Sequence, residues 1–446
     1  MNSVSQANLE QANLERHFWE IAKIGNLGEG LSQGFLRASY SDEESRAIRY
    51  IESEGKAFGL IAKYDALGNF SLETPGEYSE YVEVGSHLDT VPAGGNFDGV
   101  VGIISGLEGI RSIVASGIKL KKGLRLRIWR AEESGTFPVL YGGSLGAFGQ
   151  VDPKFLDAQF QGRTYREAIL SQGFDPSFIE RKERTIPQAE VDGIAAHLEI
   201  HIEQGNLLEV QNLDIGIVTS IRAPERYRVF LTGEFDHSGA TPMGVAFRKD
   251  VNLALGYILV ELDKLANKNL ENGADLVQTI GVINSDTGIN QSSPFLKLNA
   301  LTKVSGFGYF TLDIRSKDDE FRKNYALEAV KVIESISKRF GVTVQIEPIS
   351  SGRAENSLDS PIQQLVKNCS DELGYKSQKM PSGAGHDCGV VAKQRKSNGT
   401  TVPIGLMFIP CLRGKSHSPE EYSTFESVTK GATVLAEVLK VLAADG

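Results

Sequence analysis

The chain has 446 residues, 41% hydrophobic and 23% charged, which fits a folded enzyme and excludes a collagen-like or largely disordered chain. At roughly 100 to 200 residues per domain, this length predicts two or three domains. With 47 basic residues against 57 acidic ones the formal charge is -10, which argues against a nucleic-acid-binding surface. Three widely spaced cysteines, Cys369, Cys388 and Cys411, form no CxxC pair and read as reduced thiols. The first 25 residues are polar and lack the basic and apolar parts of a signal peptide, and no apolar run approaches the roughly 20 residues that span a bilayer. Cytoplasm is the expected location, with no membrane or nucleic-acid partner.

In chain order, Leu14, Phe18, Ile21 and Ala22 give residues 9–23 a helical spacing. Segments 58–62 and 69–73 read as short strands around a turn at 65–68. Strand 81–85 runs into Ser86, His87, Leu88 and Asp89. Glycines 94, 95 and 99 surround Asn96 and Asp98 before a helix over 100–116, and strand 124–131 ends at Glu132 and Glu133. Strand, polar terminus and helix in repetition predict an α/β fold. Over 194–203, alternation places His197, Glu199, His201 and Glu203 on one polar face of a strand and Leu198, Ile200 and Ile202 on the other.

A different block begins near Asp214: strand 227–236, helix 250–268, strands 277–283 and 308–315, helix 321–340 and strand 342–349. This βαββαβ order predicts an inserted α+β unit. The polar connection 284–305 exceeds the roughly 12 to 15 residues usual for a structureless loop, which marks it as either functional or mobile. The α/β pattern then resumes with helix 361–373, the glycine-rich stretch SGAGHD at 382–387, strand 402–409, a loop holding His417 and a final helix over 425–442. The expected domains are therefore 1–213 and 351–446, two parts of one catalytic domain with a central mixed sheet, and 214–350 between them.

Of the seven histidines, six fall inside motifs that can carry chemistry and His17 does not. Asp, Glu and His at strand ends are the usual donors to zinc or manganese. His87 with Asp89 two residues on suggests an imidazole held by a carboxylate, although HxD alone more often describes a surface histidine beside a solvated acid. Asp98 in its glycine-rich turn could bridge two ions. Of Glu132 and Glu133, one could bind metal while the other moves a proton. His197 and His201 have the spacing of HExxH, but the glutamate is misplaced and the segment alternates as a strand, so a zincin site is rejected. His237, followed by small residues and a proline, reads as a loop or strand-end group able to donate to an oxyanion.

Together these motifs resemble the M20 family of metal-dependent hydrolases, in particular its amidase branch of N-carbamoyl-L-amino-acid hydrolases, β-ureidopropionases and allantoate amidohydrolases. The resemblance rests on GSHLDTVPAGGNFDG (85–99), AEES (131–134), HIEQG (201–205), DHSGATPM (236–243), TLDIRS (311–316), SGAGHD (382–387) and SHSP (416–419), which follow one another in the expected order. It implies two divalent metal ions, zinc, manganese or cobalt. One would be held by His87 and His201, the other by Glu133 and His417, with Asp98 shared between them. It implies Glu132 as the general base that activates water and protonates the leaving nitrogen, with Asp89 orienting His87. Gln204 and His386 would face substrate, His237 would polarise the scissile carbonyl across a homodimer, and Arg315 would pair with the substrate carboxylate. The inserted unit would be a lid and dimerisation domain.

Three features depart from the branch, one of them the length of the 284–305 connection. Ser134, Gly135, Thr136 and Phe137 stand where it has Gly-x-Arg-Phe, and Thr302 stands where an asparagine helps hold substrate. The expected reaction is cleavage of a linear C–N bond in an N-carbamoyl amino acid. The alternatives are allantoate amidohydrolase, a peptidase or aminoacylase, which HIEQG argues against, and a metal-binding relative without turnover.

Overall fold

The computed structural model describes residues 9–284 and 301–444. The chain forms two compact units, residues 1–219 with 357–446 and residues 220–356. The large unit is built on an eight-stranded mixed sheet. Its order is Ile61–Tyr64, Phe70–Glu73, Gly123–Trp129, Tyr81–His87, Ile194–Ile202, Ile404–Ile409, Ile215–Ile221, Ser377–Ser382. The four central strands, from Gly123–Trp129 to Ile404–Ile409, run parallel, and antiparallel pairs flank them. In open sheets of this kind, ligands meet the carboxyl ends of the parallel strands. The strand Ile215–Ile221 pairs with Ile404–Ile409 in the large sheet, and the second compact unit begins at Ser220.

Helix Val100–Ala115 is buried almost throughout because it carries Val100, Ile103, Ile104, Leu107 and Ile110 together with glycines that let its backbone approach the sheet. A Cβ on Gly102 would lie 2.7 Å from the Ile200 carbonyl oxygen and 2.6 Å from the Ser86 Cβ, and one on Gly106 would lie 2.8 Å from Leu126. Helices Gln11–Ala22 and Phe425–Ala444 contribute Leu14, Phe18, Leu435 and Leu439 to the same core. His17 is a buried structural group that joins Tyr50 at 2.7 Å and Glu108 at 3.0 Å.

Several expectations shift. Residues 42–57 form a helix that the hydrophobic spacing did not announce, capped by the Ser41 hydroxyl, which accepts from the Glu44 amide. Phe58 therefore ends a helix, and the first strand starts at Ile61. The polar face expected for strand Ile194–Ile202 lies inside the protein: His197, Glu199 and His201 are all buried. His197 Nδ1 meets Glu83 at 3.1 Å, and Glu199 accepts from the Ser86 hydroxyl and the Cys388 amide. Burial opposes the charge on Glu83, but Arg127 and Arg125 outweigh it and hold its carboxyl well below the usual range.

The small unit contains a five-stranded sheet in which Val277–Thr279, Phe307–Ser316, Ala223–Thr232 and Thr343–Ser351 lie in that order, with Ile283–Asn284 also paired to Phe307–Ser316. Helices Val251–Glu271 and Asp319–Arg339 pack Ile258, Leu262, Ala329 and Ile333 against Val229, Leu231, Phe310 and Leu312. The 227–236 segment is two elements, because the strand ends at Thr232 and Asp236–His237 pairs separately with Lys303–Val304. Most of the 284–305 connection, residues 285–300, lies outside the described residues. Among the described residues no helix is long and apolar enough to cross a membrane.

Candidate metal and active centre

Within the large unit, the carboxyl ends of four parallel strands each deliver a piece of one cluster. Tyr81–His87 ends on His87, Gly123–Trp129 leads to Glu132 and Glu133, Ile194–Ile202 carries His201, and Ile404–Ile409 leads to the loop holding His417. Asp98 enters from the turn before helix Val100–Ala115. That turn depends on Gly99, whose φ of 69° is left-handed and whose Cβ, if present, would lie 2.6 Å from His87.

Two donor groups share Asp98: His87, Asp98 and His201 form one, and Asp98, Glu133 and His417 the other. Asp98 Oδ1 lies 3.0 Å from His201 Nε2 and 3.2 Å from His87 Nε2. Its other oxygen lies 3.5 Å from His417 Nε2, which is 3.2 Å from Glu133. His201 Nδ1 donates to the Ile202 carbonyl oxygen at 2.9 Å and His87 Nδ1 to the Asp89 carbonyl oxygen at 3.1 Å. A carbonyl only accepts, so Nδ1 keeps its hydrogen in both rings and Nε2 is turned toward Asp98. The resulting mixed histidine and carboxylate sets, each with one oxygen of a common aspartate, fit divalent metal in their chemistry.

The electrostatics show how strongly the groups interact. Burial opposes charge on both Asp98 and His87, yet Asp98 is held well below the usual range by His201, His417 and His87, and His87 well above it by Glu132, Asp89 and Asp98. His201 is raised in the same way, against burial, by Asp98. His417, half exposed, is pushed up to about 11 by its bonds to Asp98 and Glu133. Glu132 is raised well above the carboxylate range, first by burial and then by Glu133 and other acids, against the pull of His87. It stands 3.8 Å from His87 Nε2 and belongs to neither donor group.

The remaining expected residues of the large unit, Asp89, Gln204 and His386, are close by. The Asp89 carboxylate accepts the Glu132 and Glu133 amides, both at 3.1 Å, so it meets His87 more closely through its carbonyl than through its side chain at 3.5 Å. Gln204 Nε2 donates to Asp98 Oδ2 at 2.6 Å, while its Oε1 is buried without a hydrogen-bond partner. His386 packs edge-on against His201 with ring centres 4.7 Å apart, and burial drives its pKa well down.

In the small unit His237 is exposed, its Nδ1 accepting the Gly239 and Ala240 amides. Arg315 pairs with Asp313 at 2.9 Å. Thr302 is exposed, and its carbonyl oxygen accepts the Ser238 amide.

Sequence reasoning missed Glu421, whose Oε1 accepts the Phe97 and Asp98 amides at 2.8 and 2.9 Å and so positions the shared aspartate. Its only signal was its place four residues after His417. It also missed the buried Asp387, which accepts the Ser144 hydroxyl, and Ser39, which donates to Asp89 at 3.1 Å. A cavity of about 450 Å³ elsewhere on the large unit is lined in part by Ser39, Tyr40, Phe137, Phe160 and Arg163, and no member of the two donor groups lines it.

Such a centre, with two donor groups sharing one carboxylate and an uncommitted buried glutamate beside them, belongs to the class of metal-dependent hydrolases. Residues 84–441 match the peptidase family M20/M25/M40, and the chain belongs to that family. It is 31% identical to an N-carbamoyl-L-amino-acid amidohydrolase of Pseudomonas sp. (strain NS671) over 95% of this chain and 97% of that protein. It is 29% identical to an allantoate amidohydrolase of Bacillus subtilis (strain 168) over 95% and 96%. A solved amidase of the hydantoinase/carbamoylase family from Burkholderia multivorans superposes with a TM-score of 0.84 at 26% identity, covering 98% of this chain and 99% of that one.

Proposed function

We propose that the chain is an amidohydrolase that cleaves the linear C–N bond of an N-carbamoyl amino acid, taking up one water and releasing the free amino acid, ammonia and carbon dioxide. The observation that carries this reading is the pair of donor groups on the two oxygens of Asp98, with Glu132 beside them but in neither. Similarity to the Pseudomonas amidohydrolase over nearly the whole of both chains supports the substrate class.

His87, Asp98 and His201 would hold one divalent metal, and Asp98, Glu133 and His417 a second, zinc, manganese or cobalt. Such ions polarise a carbonyl and stabilise the charge that develops on it. Glu132 takes the proton of the attacking water and passes it to the leaving nitrogen. Burial raises its pKa above the ordinary carboxylate value, which makes the carboxylate a stronger base. Asp89 fixes the Glu132 and Glu133 amides. Gln204 has an unpartnered buried oxygen to offer a substrate N–H, and the neutral His386 lies beside His201.

From the small unit, acting as a lid, His237 would polarise the scissile carbonyl, Thr302 would help to hold substrate and Arg315 would take its carboxylate with a two-point guanidinium bond. The small unit would also make a homodimer. The exposed apolar row Leu253, Tyr257 and Val260 on helix Val251–Glu271 supports this, and light scattering should give twice the 48.5 kDa chain mass. A monomer at all concentrations refutes the dimer.

The test of the reaction is ammonia release by metal-replete protein from a panel of N-carbamoyl amino acids. Release from at least one member is expected, and release from none refutes the reading. The Bacillus relative favours a second substrate: ammonia from allantoate, and from no carbamoyl amino acid, would establish that reading instead.

A further inference from the structure

Glu132 and Glu133 leave their strand through Ala131, whose φ of 52° lies in the left-handed region. The backbone beyond it belongs to no regular element, and Ser134 and Gly135 are exposed. Both ends of the segment 132–136 are nevertheless buried and tied to one cluster. At the near end, the two oxygens of the fully buried Asp89 carboxylate accept the Glu132 and Glu133 amides, each at 3.1 Å. The Ser39 hydroxyl donates to the same carboxylate at 3.1 Å. At the far end, the Thr136 hydroxyl donates to Ser39 Oγ at 3.1 Å and accepts the Ser39 amide at 3.4 Å.

A carboxylate only accepts, so the direction of this chain is fixed. The Ser39 proton goes to Asp89, which leaves the Ser39 oxygen to accept from Thr136. Buried polar groups of this kind are held by complete sets of hydrogen bonds, and removing one member loosens the others.

We propose that Ser39 and Thr136 are positioning residues that clamp the 132–136 segment at both ends through Asp89, and so place the Glu132 and Glu133 side chains. The proposal rests on the reading of Glu132 as general base and Glu133 as metal ligand. Neutral hydroxyls suit the task.

The test compares wild type with Thr136→Val, which keeps the shape and removes the hydroxyl, Thr136→Ser, which restores it, and Ser39→Ala. Steady-state kinetics on the best ureido substrate and titration with manganese alone are measured for each full-length protein. Thr136→Val and Ser39→Ala should lower kcat about tenfold or more with KM within about threefold, and weaken the weaker manganese site about tenfold. Thr136→Ser should return both to within about threefold, and the double variant Ser39→Ala/Thr136→Val should be no worse than Ser39→Ala because the two hydroxyls act in one chain.

A Thr136→Val protein with unchanged kcat and manganese affinity, or one that loses only thermal stability, overturns the proposal, as does failure of serine to rescue. Should wild type hydrolyse no ureido compound, the functional reading falls, and the manganese affinities of the valine and serine variants still decide the clamp.

Discussion

Glu132→Gln separates the roles of the two adjacent glutamates. The substitution keeps the shape of the side chain and leaves in place the hydrogen bond that the residue 132 amide donates to Asp89. Because Glu132 is outside both donor groups and 3.8 Å from His87, metal content should match wild type. Removing a general base costs roughly 100- to 10,000-fold in rate, so kcat should fall by about 1,000-fold, equivalent to about 4 kcal/mol.

Stability should move the other way. The folded pKa of Glu132 is raised well above the ordinary value, first by burial, so its favourable contribution is fully present only below the unfolded value and is lost as pH rises through the folded one. Glutamine cannot ionise and retains that contribution. Metal-free Glu132→Gln should therefore resist urea better than metal-free wild type at neutral pH, with the difference vanishing in acid. Near-wild-type turnover, or loss of metal in parallel with turnover, would refute the assignment of base and ligand.

Metal binding should release protons and strengthen as pH rises, because His417, pushed up to about 11 by Asp98 and Glu133, must lose its proton to become a ligand. Calorimetry in buffers of different ionisation enthalpy counts those protons. His417→Ala should lose one metal and keep the one held by His87 and His201, which elemental analysis will report as a halved metal content. Gly102→Ala should destabilise the large unit by roughly 1 to 3 kcal/mol through overpacking against the Ile200 carbonyl oxygen. Gly109→Ala, whose Cβ would meet nothing nearer than 3.6 Å, should instead stabilise by up to about 1 kcal/mol through helix propensity. Chemical denaturation distinguishes the two. His237→Ala should reduce kcat by roughly 100-fold or more with metal content unchanged, as expected for loss of an oxyanion donor.

The features legible in the amino-acid sequence are local ones. His87, Asp98, Glu132 and Glu133 stand directly after buried strands or in a glycine-rich turn, and that punctuation points to a site. His87, Asp98 and His201, and likewise Asp98, Glu133 and His417, lie close enough together to hold a metal ion.

Less legible were features made by distant pairing. The alternation of strand Ile194–Ile202 shows a polar face but not its partners, Glu83, Ser86 and the Cys388 amide, which satisfy His197 and Glu199 from elsewhere. Helix Asp42–Ala57 was hidden by its charge, although Ala47, Ile48, Ile51 and Gly55 make a buried stripe behind a capping serine. Ser39 and Glu421 carry no motif: one reaches Asp89 from 50 residues away and the other holds the Asp98 amide from 323 residues away.

The sharing of Asp98 between two metals is the central claim, and anomalous diffraction from crystals soaked in manganese tests it directly. Two peaks about 3.5 to 4 Å apart are predicted, one among His87, His201 and Asp98 and the other among Asp98, Glu133 and His417. A single peak, or peaks that leave Asp98 without a metal on each oxygen, would contradict it.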